Sequence, residues 1–118
     1  MQRAKIVGAQ GSWSARATYD DGAQETLACV HKHYLKNTEY EDPWTPDLRQ
    51  SQKFAEHVDL IRKRNRVILT TDDVDPSKLP GRGFFKRTGY VAVHAIGDFV
   101  LDQTSMRFRL IERVANAN

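Results

Sequence analysis

The chain has 118 residues, 40% of them hydrophobic and 28% charged, with a net charge of +3. That length fits one domain over residues 1–118, and that composition excludes a disordered or low-complexity chain. The single cysteine, Cys29, excludes an internal disulfide framework, so stability has to come from a packed core, as in a reducing compartment.

Ala4 to Gln10 reads as a first strand closed by Gly11. Next, Trp13, Ala15, Ala17 and Tyr19 alternate with Ser12, Ser14, Arg16 and Thr18, the period-two pattern of a half-buried strand. Asp20-Asp21-Gly22 supplies turn residues, Gly22 being free to take positive φ, and a partner strand runs from about Gln24 to Tyr34. This strand-turn-strand resembles that of small barrel domains such as Tudor modules, as any Asp-Gly hairpin does, and assigns neither a family nor an aromatic cage.

One long helix is predicted from Thr45 as N-cap and Pro46 at the first helical position to Asn65 as a left-handed cap. Leu48, Phe54, Val58 and Ile61 form its apolar face, Trp44 would pack on its start, and Arg62-Lys63-Arg64 would sit at its dipole-negative end. Beyond it, Arg66 to Thr71 reads as a strand and residues 72–89 as a long loop. Tyr90 to Ile96, Phe99 to Leu101 and Ser105 to Val114 read as strands before a short tail, 115–118. The order β-β-β-α-β-β-β predicts an α+β fold of about six strands: a curled antiparallel sheet or small β-barrel with one long helix packed across it.

Charge divides unevenly. Residues 1–61 carry 7 basic and 9 acidic groups, whereas residues 62–118 carry 11 basic and 6 acidic, a local excess of +5. The second half also interleaves cations with aromatic rings, as nucleic acid requires: phosphates need charge and bases offer faces for stacking. The first functional expectation is therefore an RNA- or DNA-binding module using Arg62, Lys63, Arg64, Arg82, Phe84, Lys86, Arg87, Arg107 and Arg109.

The alternative is a metal site, with or without enzymatic activity. Cys29, His31 and His33 lie two apart, so in a strand all three share a face, and thiolate plus two imidazoles suit zinc. A fourth position would fall to His57, His94 or water. A third expectation is a protein-interaction module, which exposed Trp13 or Trp44 would support. The carboxylates of Asp72-Asp73-Val74-Asp75 read as turn chemistry, and no phosphate loop, dinucleotide fingerprint or nucleophile elbow is present. No apolar run has the length of a bilayer span, and the segment after Met1 lacks a signal-like apolar stretch. A cytoplasmic protein with no membrane partner is expected.

Overall fold

The computed structural model describes residues 2–9, 12–44, 51–73, 77 and 86–117. Among them the chain forms β1 (Arg3–Val7), β2 (Ser14–Tyr19), β3 (Gln24–His31), a 3₁₀ turn (Lys32–Tyr34), β4 (Leu35–Lys36) and β5 (Glu39–Pro43). There follow α1 (Gln52–Arg64), β6 (Arg66–Asp73), β7 (Lys86–Leu101) and β8 (Ser105–Ala117).

Local chemistry explains the boundaries. At the β2–β3 turn Gly22 takes φ +88°, and Asp21 Oδ1 accepts the Ala23 amide at 2.9 Å, an Asx turn. The hydroxyl of Ser51 caps α1 by accepting the Phe54 amide at 3.1 Å. Asn65 ends the helix in the left-handed region, φ 54°, and donates to the Ile61 carbonyl. Thr45 and Pro46, the expected helix start, and Leu48 of the expected apolar face lie outside the described residues. Phe54, His57, Val58 and Ile61 follow the spacing i, i+3, i+4, i+7 and are buried, with Lys53, Glu56 and Lys63 exposed. The Trp44 ring sits edge-on to Phe54 at 4.5 Å, so it does pack on the helix start.

Strand order is β1-β2-β3-β6-β7-β8-β5-β4, and β8 also pairs with β1 through Arg3↔Asn116 and Ala4↔Ala117. Six strands therefore close on themselves, and β5 with β4 extends the sheet from the earlier half of β8. Closure creates two cores. Ala4, Ala15, Ala17 and Ala115, with Tyr19, Leu27, Cys29, Ile68 and Val93, fill the ring. On the outer face Phe54, Val58 and Ile61 of α1 pack on Val30, Val67 and Leu69, and the cluster continues through Tyr40, Met106 and Phe108.

The expected α+β class with one helix packed on the sheet is what forms, but strand number and order differ. There are eight strands among the described residues, and two neighbouring pairs, β3–β6 and β1–β8, are parallel. A helix-containing connection lets β3 and β6 run the same way, which a tight hairpin cannot do. The pieces expected at Tyr90–Ile96 and Phe99–Leu101 are one strand, β7, whose register slips between Gly97 and Val100 where Asp98 takes φ 56°. The expected tail is strand: Ala115 is fully buried and Asn116 and Ala117 pair with β1. Strand reaches into both ends of the expected loop 72–89: β6 runs to Asp73 and β7 begins at Lys86. Among the described residues no helix is long and apolar enough to cross a membrane.

Candidate metal centre

In the parallel pair β3–β6, His31 is the register partner of Thr70. Parallel neighbours end on the same side, so the residues closing β3 and those closing β6 are delivered to one place. His31 is the last residue of β3, His33 lies in the 3₁₀ turn after it, and Asp72 sits two residues beyond Thr70. Their ligand atoms, one from each residue, all lie within 4.8 Å of one another. His31 Nδ1 is 2.8 Å from Asp72 Oδ2, and His33 Nδ1 is 3.9 Å from the same oxygen.

Neighbours hold the three side chains in place. Thr70 Oγ1 lies 3.0 Å from Asp72 Oδ2 and 3.2 Å from the Val30 carbonyl, tying the carboxylate to both strands. The His31 amide donates to Tyr40 Oη at 3.3 Å, and Tyr40 in turn donates to Asp42 Oδ2 at 2.8 Å. The two imidazoles stack at 5.2 Å between centroids, and Tyr34 lies 4.3 Å from His33. The Asp72 side chain is 2% exposed, against 16% for His31 and 17% for His33. Burial pushes the Asp72 carboxyl up. The bond and charge of His31, the Thr70 hydroxyl and the His33 charge outweigh it, so its pKa falls below the ordinary value. The site therefore presents an anion flanked by two imidazoles.

Cys29 does not belong to this group. It points into the core inside the ring and is 4% exposed. Burial, opposed by Arg87 and aided by Asp72, pushes its thiol up to about 11. Its sulfur is not among the ligand atoms that converge at His31, His33 and Asp72. The structure thus joins two of the three residues expected from sequence and supplies Asp72 as the third. Sequence reasoning passed over Asp72 because its aspartate run imitates a turn. The signal that could have found it was topological: a strand, a helix and another strand in succession imply parallel neighbours with adjacent C-terminal ends.

The cationic residues do not form one surface. Arg107 and Arg109 lie on the face of β8 opposite Met106 and Phe108, and pair with Asp102 at 3.2 Å and Asp98 at 3.0 Å. Arg62 lies on the other side, its guanidinium 5.1 Å from the Phe99 ring centre, and Phe99 stacks with Phe108. Lys63 and Arg64 are exposed at the end of α1, and Lys86 is exposed opposite Asp73. Arg87 is turned inward: it donates to the Ser12 carbonyl and to Tyr90 Oη, and packs over the Tyr90 ring. Arg82 and Phe84 lie outside the described residues. Trp13 and Trp44 pack against each other at 5.4 Å, and Trp44 is 2% exposed, so it offers no protruding anchor for a protein partner. Comparison with family models, curated proteins and solved structures gives no match.

Proposed function

We propose that the protein binds a divalent transition-metal ion, zinc in the first instance, through His31, His33 and Asp72. The convergence of two imidazoles and a buried carboxylate at the ends of a parallel strand pair carries this reading. Imidazole with carboxylate suits zinc and its first-row neighbours, whereas calcium and magnesium prefer oxygen donors alone. A tetrahedral ion about 2.0–2.1 Å from each donor would set the donors about 3.3 Å apart. The His31–Asp72 separation of 2.8 Å would open by about half an ångström, and the His33–Asp72 separation of 3.9 Å would close by as much. Both changes lie within ordinary side-chain adjustment. The ion would replace the proton that His31 shares with Asp72. Three protein donors leave a position for water, the arrangement of a working site and not of a closed structural one.

The test is titration of chelator-stripped, tag-free protein with zinc and cobalt(II). Binding of about one ion per chain is expected, with a raised melting temperature. His33→Gln and Asp72→Asn should each weaken binding by about a hundredfold, while Cys29→Ser leaves it unchanged and the cobalt spectrum shows no thiolate band. No binding tighter than millimolar, or a melting curve indifferent to chelator and metal alike, removes the proposal. Loss of binding in Cys29→Ser would instead restore the thiolate ligand set.

Nucleic-acid binding is the second reading, favoured by the exposed Arg62-Lys63-Arg64 triplet, of which Arg62 lies over the Phe99 ring. It requires salt-sensitive binding of single-stranded oligonucleotides at low ionic strength. Absence of binding there rules it out.

A further inference from the structure

A separate cavity of about 290 Å³ opens between the 3₁₀ turn with its following hairpin and strands β6 to β8, sharing that turn with the candidate metal centre. Leu35, Leu69, Val91 and Leu110 give it apolar walls. His94 also lines it, is 8% exposed, and its Nε2 has no hydrogen-bond partner among the described residues. Lys32, Glu112 and Arg113 supply the charges of the lining.

A buried polar atom without a partner costs about 1–3 kcal/mol, so such an atom beside a cavity marks where a ligand group belongs. Burial, with Arg113 adding to it, holds the His94 pKa below its usual value, and the ring is neutral near pH 7. Two cations against one carboxylate then leave the lining with a single positive charge. Apolar walls ask for a hydrocarbon body, the net charge asks for a monoanion, and a ring N–H asks for an acceptor. The volume falls at or below the small end of ligand sites, which excludes a nucleotide or a folded lipid.

We propose that this cavity binds a small organic monocarboxylate, its body against Leu35, Leu69, Val91 and Leu110 and its carboxylate between His94, Lys32 and Arg113. Arg113 is exposed on the rim and donates to Asn116 Oδ1 at 2.8 Å, a contact that leaves other guanidinium donors for the ligand. The proposal is independent of the metal centre, since none of its lining residues is a proposed metal ligand.

The test uses 3-phenylpropanoate as probe, with the neutral 3-phenylpropanamide as its uncharged match and inorganic phosphate as an anion without a body. Binding is followed by NMR titration at the His94 ring nitrogens. The acid should bind saturably and shift those nitrogens, with the amide at least about tenfold weaker and phosphate giving no saturable shift. Arg113→Gln, an exposed substitution that leaves packing intact, should weaken the acid about tenfold. Val91→Phe, which fills the cavity, should abolish its binding in protein that still melts cooperatively. Equal binding of acid and amide, competition by phosphate as strong as by the acid, or unchanged binding in either variant overturns the proposal. Absence of any saturable shift assigns the cavity to water and overturns it as well.

Discussion

Replacing Tyr40 by phenylalanine removes one hydroxyl, which contacts the backbone of the proposed metal ligand His31, and nothing else. The ring is 1% exposed and stacks on Phe108 at 4.5 Å, so its packing survives the change. The hydroxyl donates to Asp42 Oδ2, whose residue is also 1% exposed, and accepts the His31 amide at 3.3 Å. A hydrogen bond to a buried carboxylate contributes about 1.5–3 kcal/mol, and the longer amide contact adds about 0.5 kcal/mol. The expected loss is therefore about 2–3.5 kcal/mol. A domain of this size has about 6–18 kcal/mol in total, so the variant stays folded. In urea, with a slope near 1.5–2 kcal/mol/M, the midpoint should fall by about 1–2 M with the slope unchanged. Combining Tyr40→Phe with Asp42→Asn should show a coupling of about 1 kcal/mol or more, because the two groups share one bond. A loss below about 0.5 kcal/mol, or strict additivity, would refute the reading that this hydroxyl ties the end of β3 at His31 to Asp42 of β5.

Two further outcomes test the packing and the cavity histidine. Val58→Asp should cost at least about 3 kcal/mol by placing an unpaired charge in the core between α1 and the sheet, and an unchanged unfolding midpoint would rule out that face. His94 should make stability depend on pH: its folded pKa lies below 6.5 through burial and Arg113, so the unfolded chain takes the proton first. Its contribution is then complete above pH 6.5 and declines as pH falls below that value; His94→Gln should lose this slope between pH 7.5 and 5, and parallel profiles for both proteins would contradict it.

What the sequence revealed, and what it hid, follows from the reach of each signal. The Asp20-Asp21-Gly22 turn, the spacing of Phe54, Val58 and Ile61, and the Asn65 cap are local, and each appears where it was expected. Strand β5 was hidden although its period-two pattern is real: Tyr40 and Asp42 are buried and Glu39 and Glu41 exposed. A carboxylate at a buried position disguised the alternation. Ala115 read as tail because alanine carries little hydrophobic signal, yet small side chains are what the ring's interior accommodates beside Ala4, Ala15 and Ala17. The site was half legible for the same reason. His31 and His33 are neighbours in sequence, whereas Asp72 joins them only through a pairing 41 residues distant.

That long-range pairing also decides how the centre can work. His31 and Asp72 are strand residues, His31 held in the ladder between β3 and β6 and Asp72 in the ladder between β6 and β7, with Thr70 in contact with both Asp72 and β3. His33 is carried by a turn whose neighbour Tyr34 packs on it and on Tyr40, the residue that accepts the His31 amide. Two donors are thus set by the sheet and the third by a short segment that can adjust. An ion entering the site would part His31 from Asp72 by about half an ångström and draw His33 inward by as much, and it need not rearrange the core. Binding should therefore order the segment from Lys32 to Asp42 and the end of β6 while leaving the rest of the six-stranded ring untouched. Amide hydrogen exchange with and without zinc should show protection gained in that segment and in Asp72, with β1 and β2 unchanged; protection spread evenly over the whole domain would mean that the metal folds the protein instead of occupying a site already built.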